Sequence, residues 1–412
     1  MKNYFLLLLG ISFTLLLISG CATSGRISKS NTNPKYISKE NDFIRVLLDN
    51  RNSEMTFAIQ SPVVLYEENS PIAIIKRGNI VKISGNGNSL RLNISDKNFE
   101  SKYFQLKPDN DIGVIEFKNH KYSGIIKLIC NGNSISALNE VSLEDYIRGV
   151  IPAEMPTGKG IEYLEALKAF AICARTYAVS RLNKSHTFDV YLDTRDQVYD
   201  GFRKSSYIIN RAVDETKGMI LTYDSQPATV FYSASCGGHT SNVKDVFSGN
   251  NEPYLQGVED GDPPNCSIAP NFNWTETYSS QEFISRLKSA GYLGEGNYTL
   301  QNVSVESRNS SGRVEELLII LSTDTGEKKI DIPGNKIRTA IHNLENGNIL
   351  RSTMFEISFN GNQVIIRGKG NGHGVGLCQW GAISQSIKGR DYRQILSFYF
   401  PGTTIGKINE SK

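Results

Sequence analysis

Short apolar runs broken by Asn-Gly and Gly-Asn turns open the readable part of the chain: FIRVLLD from Phe43, VVLYE from Val63, AIIKRG from Ala73 and IVKIS from Ile80. Runs of this length between turn residues predict strands, so residues 42–118 read as a small β-rich domain. A different period begins at Ile161. In IEYLEALKAFAICARTYAVSRL, apolar residues at Leu164, Leu167, Ala171, Ala174, Ala178 and Leu182 recur at spacings of three and four, which predicts a helix over 161–182. Glu162 and Glu165 suit the positive end of its dipole, and Pro156, Thr157 and Gly158 form a start signal. Glu154 then belongs to the turn leading into that helix. SQEFISRLKSAG, from Ser280, predicts a second helix, a third follows Ala382, and ATVFYSASCGGHTSN, from Ala228, reads as a strand ending in a Gly-Gly turn. The expected fold class is α+β: a mixed, β-rich core with a long buried helix, preceded by the small β-rich domain.

The most uniform apolar stretch lies at the start. Lys2 is followed by YFLLLLGISFTLLLIS and then by ISGC. The run falls short of the roughly 20 residues a membrane span needs. With small residues before Cys21, the pattern predicts a signal peptide over 1–20, cleavage before Cys21 and lipid on that cysteine. The protein is therefore expected as an exported lipoprotein, held at a membrane through Cys21. The polar residues 22–41 would serve as a flexible tether. Composition is ordinary for a globular chain, 39% hydrophobic and 21% charged with a net charge of +3. No basic block or stripe is present, which argues against a nucleic-acid partner.

Candidate chemistry falls in four places. Lys168 and Arg175, seven residues apart on the long helix, share a face at the margin of its apolar stripe, where a cation can either line a cleft or simply pack its stem. Ser233, Ser235, Cys236 and His239 cluster near the Gly-Gly turn. Cys236 and Cys266 read as a disulfide or free thiols in preference to a metal site with His239, because a third and fourth ligand are not evident. GKGNGHGVGLCQWGA, from Gly368, surrounds His373 with glycines, but it lacks the spacing of a phosphate loop, and no cofactor is implied. Its glycines allow close backbone approach, of the chain to itself or of a sugar, and His373 either lines a cleft or satisfies a buried hydrogen bond. Finally, Glu154 in IRGVIPAEMPTG has apolar neighbours that desolvate a carboxylate and raise its pKa, as a general acid near neutrality requires. A nearby Lys168 or Arg175 would act in the opposite direction.

Taken in order, LEDYIRGVIPAEMP, EALKAFAICARTYA, YSASCGGHT, PYLQGVED, SGRVEEL, GNKIRTAI, LRSTMFEI and GKGNGHGVGLCQWGA resemble the SpoIID/LytB family, from about residue 120 to 405. The resemblance implies a SpoIID-type domain over 119–405, a short tail over 406–412, and action on bacterial peptidoglycan. SpoIID-like members are lytic transglycosylases that cut between N-acetylmuramic acid and N-acetylglucosamine in peptide-free glycan strands. The family's catalytic glutamate maps to Glu154, and its helical cations to Lys168 and Arg175. Tyr177, Tyr232, Ser233, Ser235, His239, His373 and Gln379 would position the sugars. Some members bind zinc in a DTxxCQVY stretch; here YLDTRDQVYDG has Leu192 and Asp196 where those cysteines stand, so that site does not carry over. A hydrolytic glycosidase uses two carboxylates. A transglycosylase needs one, which first protonates the glycosidic oxygen and then takes the proton of the muramic acid 6-hydroxyl as it closes a 1,6-anhydro ring. The other reading comes from LytB-like relatives: a non-catalytic glycan-binding protein that enhances a cell-wall amidase.

Overall fold

A computed structural model describes residues 43–110, 113–157, 160–202, 206–247, 251–342 and 347–408. Cys21, with its proposed leader and tether, lies outside the described residues. Two sheets form the N-terminal part. One has seven strands in the order Val190–Tyr191, Phe43–Asp49, Ser134–Ser142, Ile125–Asn131, Tyr103–Pro108, Val63–Glu67, Ser70–Ile75. The other has six, running from His120–Tyr122 through Ile115–Phe117, Glu54–Ile59, Ile80–Gly85 and Leu90–Ile94 to Lys97–Ser101. In Glu54–Ile59 the alternate residues Met55, Phe57 and Ile59 are buried, and their cluster also takes in Val63, Leu65, Phe104 and Leu106 of the first sheet. Phe43–Asp49 pairs antiparallel with Ser134–Ser142, and Tyr103–Pro108 with Ile125–Asn131, so strands from both sides of residue 118 share one sheet.

Among the described residues seven α-helices follow: α1 Leu143–Glu154, α2 Leu164–Arg181, α3 Tyr207–Glu215, α4 Ser280–Ser289, α5 Gly334–Ala340, α6 Gln379–Ile387 and α7 Tyr392–Tyr399. The long helix predicted from the apolar repeat is α2, preceded by a single 3-10 turn at Ile161–Tyr163. It is buried on every side rather than along one stripe, because α1, α3, α6, α7 and the strand Met219–Tyr223 all pack against it. Ala166, Ala169, Ala171 and Ala174 allow this close approach at no cost in helix propensity. A second hydrophobic cluster, built around Trp274, Phe283, Leu317, Ile332 and Val364, holds α4, α5 and the strands between Asn273 and Lys369. The chain then returns to the first cluster through Val375, Leu377 and α6.

Glu154 is the last residue of α1, not part of a connecting turn. The helix starts at Ser142, whose hydroxyl accepts from the Asp145 amide at 3.1 Å, with Glu144 and Asp145 in its first turn. Leu143, Tyr146, Ile147, Val150 and Ile151 form its buried face. Gly149 has to be small there, since a Cβ would come within 2.4 Å of the Tyr199 ring. Pro152 falls in the final turn, and Met155 leaves the helix in extended conformation ahead of Pro156.

One ion pair fixes α1 to α2. Arg175 has no exposed surface. It donates from Nε and Nη2 to the two oxygens of Glu144, at 3.0 and 2.7 Å, and from Nη1 to the Met219 carbonyl at 2.9 Å. The Gly218 amide donates to the same Glu144 carboxylate at 3.0 Å. Removing one partner of a buried pair leaves the other desolvated and unpaired. Arg175→Leu is therefore expected to destabilise the chain by about 3–5 kcal/mol in urea unfolding. Arg175→Lys should recover only part of the loss, because an ammonium cannot make the two-pronged contact. A loss under about 1 kcal/mol, the size of a surface pair, would contradict this role.

Candidate functional site

Three consecutive residues, Asp196, Gln197 and Val198, organise the surroundings of Glu154. The Val198 amide donates to Glu154 Oε1 at 2.7 Å. Gln197, fully buried, accepts from the Tyr146 hydroxyl at 3.2 Å and donates from Nε2 to the Tyr232 hydroxyl at 3.0 Å. Asp196 accepts from the Tyr177 hydroxyl at 2.7 Å and from the Tyr191 amide at 2.8 Å, with Arg181 Nε 3.7 Å away. The half-buried carboxyl of Glu154 thus sits among phenols and amides. Burial raises its pKa above the ordinary 4.5, while the Val198 N–H acts in the opposite direction. Burial also drives the Tyr146 and Tyr232 phenols well above their ordinary value, and the charge of Glu154 adds to both shifts. Both phenols therefore remain protonated donors.

The second motif stretch is laid against the glycine-rich one. Tyr232 and Ser233 pair in parallel with Leu377 and Cys378, Ser235 bridges to Asn371, and Ser241 to Val375. Gly376, at φ 71°, lies where a Cβ would come 2.2 Å from the Phe231 carbonyl oxygen. These glycines thus let the chain approach itself closely, one of the two roles expected of them. The Ser233 hydroxyl accepts from the Gly374 amide at 3.2 Å. His373 Nδ1 accepts from the Val375 amide at 3.1 Å, and the ring, edge-on to Phe231 and Phe247, lines a groove of about 580 Å³ with Phe247, Asn335 and Arg338. Burial, reinforced by Arg338, lowers its pKa to about 4, so the imidazole is neutral at pH 7 and carries its proton on Nε2. The Tyr232 backbone lies against this ring while its phenol faces Glu154, linking the groove to the carboxyl. Glu154 itself does not line that groove.

Two expected cleft residues are placed elsewhere. Arg175 is consumed by Glu144, as described above. Lys168 is buried between Glu165 and Glu215, at 2.7 and 2.5 Å, with its ammonium over the Tyr392 ring. Both stitch α2 to its neighbours, and neither presents a free cation to a substrate. Tyr177 and Tyr232 belong to the Glu154 surroundings, Gln379 begins α6 in a buried position, and Ser235 Oγ is buried without a partner among the described residues. His239 Nδ1 lies 2.7 Å from the Thr240 carbonyl, apart from the thiols. Cys236 Sγ and Cys266 Sγ are 3.6 Å apart and not bonded. Asp196, Gln197 and Tyr146 were not anticipated as site residues. The DTRDQVY stretch that carries the first two stood out in the sequence only for the cysteines it lacks.

Residues 131–223 match the family described as SpoIID, Stage II sporulation protein, and residues 265–376 match one described as Domain of unknown function (DUF8618). An uncharacterised protein of Brachyspira hyodysenteriae is 32% identical over 92% of this chain and 96% of its own length. The amidase enhancer of Bacillus subtilis is 30% identical over 63% of the chain, which spans 40% of that relative's length. Stage II sporulation protein D of the same organism is 28% identical over 66% of the chain and 77% of its own length. The chain belongs to the SpoIID/LytB family.

Protonation of Glu154 has a consequence for stability. Its folded-state pKa exceeds the unfolded one, so between the two values the folded state binds more protons and stability falls as pH rises. Above the folded value the penalty is complete. Glu154→Gln removes the ionisation while keeping an acceptor for Val198. The variant should therefore gain stability relative to wild type as pH rises from about 4 to 7, in parallel urea titrations. A difference independent of pH would contradict the raised pKa.

Proposed function

We propose that this chain is a peptidoglycan lytic transglycosylase that cleaves the bond between N-acetylmuramic acid and N-acetylglucosamine, preferably in peptide-free glycan strands, with Glu154 as the single acid and base. The observation that carries this reading is the desolvated carboxyl of Glu154, held by one backbone N–H and ringed by protonated phenols. In its protonated form Glu154 donates to the glycosidic oxygen as the bond to the anomeric carbon breaks. The resulting carboxylate, stabilised by the Val198 N–H, takes the proton of the muramic acid 6-hydroxyl as that oxygen attacks the same carbon. The proton returns to Glu154, no water is consumed, and the attack is intramolecular. Asp196 is the other carboxylate in the cluster, but both of its oxygens are engaged, one by the Tyr177 hydroxyl and one by the Tyr191 amide, with Arg181 nearby, a structural placement that suits it poorly as a second base. That favours the one-carboxylate reaction over hydrolysis. Tyr177, Tyr232, His239 and His373, which keep some exposed surface, remain proposed to contact sugars; Ser233, Ser235 and Gln379 are buried and could act only by positioning their neighbours.

A second reading draws on the relative named amidase enhancer: the chain binds glycan and stimulates a cell-wall amidase without cutting. The two are separated by incubating peptide-free strands with the wild-type chain and with Glu154→Gln. Fragments with 1,6-anhydro ends are expected from wild type, and a rate about 10²- to 10⁴-fold lower from the variant. Intact strands with both proteins, together with faster digestion by an added amidase, would favour the enhancer. Equal cleavage by both would refute the role of Glu154.

We also propose that the protein is exported and membrane-anchored through lipid on Cys21. Among the described residues no helix is long and apolar enough to cross a membrane. Cells fed labelled palmitate should incorporate it into the wild-type chain and not into Cys21→Ala. Equal labelling of both would rule out this attachment.

A further inference from the structure

Three cysteines far apart in sequence converge on one carboxylate. Cys236 follows the short strand Tyr232–Ser233, Cys266 sits in a 3-10 turn over Asn265–Ile268, and Cys378 immediately precedes α6. Their sulfurs and a carboxylate oxygen of Asp260 all lie within 4.8 Å of one another, and all four residues are buried. We propose that Cys236, Cys266, Cys378 and Asp260 form a structural site for one tetrahedral zinc ion.

Geometry and donor chemistry both point this way. With Zn–S bonds of about 2.3 Å, two thiolates on one tetrahedral ion stand about 3.8 Å apart. The Cys236 and Cys266 sulfurs are 3.6 Å apart, close to that value and far beyond the roughly 2.05 Å of a disulfide. Three soft thiolates and one carboxylate select zinc over hard cations, and four protein ligands close the site to substrate, as structural zinc sites do.

The surroundings fit a bound cation with anionic ligands. The Cys236 amide donates to Cys378 Sγ at 3.2 Å, a hydrogen bond that a thiolate accepts more strongly than a thiol. The Asp260 carboxylate is aimed by the Tyr399 hydroxyl at 2.6 Å and the Cys266 amide at 2.8 Å, which leaves each oxygen a further lone pair. Gly381 keeps room for this arrangement, because a Cβ there would lie 2.1 Å from the Tyr399 hydroxyl and 2.8 Å from Asp260 Oδ1.

Arg313 supplies an independent observation. It is 1% exposed, and its guanidinium donates to the carbonyls of Cys236 and His239, at 2.5 and 2.8 Å; among the described residues it forms no ion pair with a carboxylate. A buried cation calls for a buried anion. Three neutral thiols cannot provide one, and Asp260, the one carboxylate of the cluster, makes no ion pair with Arg313. Three thiolates and a carboxylate around a divalent ion retain a net negative charge, which the adjacent guanidinium offsets.

The ion would also do what regular structure does not. Between Ser233 and Asn273 the described backbone has only three 3-10 turns and isolated bridges. A four-ligand ion would pin that segment to the start of α6, and with it Ser235 and the glycine-rich loop that pairs with it.

The test is metal and thiol analysis of the full chain, purified without chelator. One zinc per folded wild-type chain is expected by elemental mass spectrometry. Replacement of the zinc by Co²⁺ should give the intense near-ultraviolet thiolate-to-metal absorption of a tetrahedral site. Cys130→Ser, outside the cluster, should keep its zinc, while Cys378→Ser should lose at least about tenfold. Folded wild-type chain without zinc would overturn the proposal, whether its thiols titrate as free or Cys236 and Cys266 prove oxidised. So would equal zinc loss from Cys130→Ser and Cys378→Ser. The wild-type measurement decides even if Cys378→Ser fails to fold.

Discussion

The ion pair between Arg175 and Glu144 is the constraint on which the placement of Glu154 depends. Glu144 and Glu154 stand at opposite ends of α1, about 15 Å apart along its axis. One end is clamped to α2 and to the strand Met219–Tyr223 by a two-pronged contact from the fully buried Arg175 guanidinium to the partly buried Glu144 carboxylate. The other end is then delivered to the Val198 amide and the phenols of Tyr146 and Tyr232. A helix held only by apolar contacts could rotate or slide by a fraction of a turn. A bidentate pair with a fully buried guanidinium resists both, because any shift strands that desolvated charge.

At the far end of α1 two opposing effects act on one carboxyl. Burial favours the proton, and the Val198 N–H favours the carboxylate. Burial is the larger. A group that must first give a proton and then take one back benefits from such a balance: an acid too weakly desolvated has lost its proton before the sugar arrives, and a base with no donor is a poor leaving state for that proton. Neutral His373 and the un-ionised phenols surround a carboxyl whose pKa burial raises.

Much of this was legible in the chain, and the failures share a cause. The apolar runs at Phe43, Val63 and Ile80 are strands because turn residues bound them, and the repeat from Leu164 to Ala178 is a helix with a single 3-10 turn before it. The same repeat misled as to Lys168 and Arg175: it suggested one apolar stripe with cations at its edge, whereas the alanines between them let helices cover every side, and a sequence does not reveal which faces are covered. Helix α1 was hidden by Gly149 and Pro152, both helix-breaking in isolation, although Ser142 followed by Glu144 and Asp145, and apolar residues at 143, 146, 147, 150 and 151, carry a start signal and a helical face. The convergence of Cys378 and Asp260 on Cys236 and Cys266 could not be read at all, because the residues are separated by up to 142 positions and meet only through tertiary folding.

The most direct test of the account is the titration of Glu154 itself. Glutamate labelled with ¹³C at the side-chain carboxyl, with Glu154→Gln to assign the signal, reports its midpoint by NMR as pH is varied. A midpoint above the ordinary 4.5 is predicted. A midpoint at or below that value would mean the Val198 hydrogen bond outweighs burial, and Glu154 could not hold the proton that the proposed reaction requires.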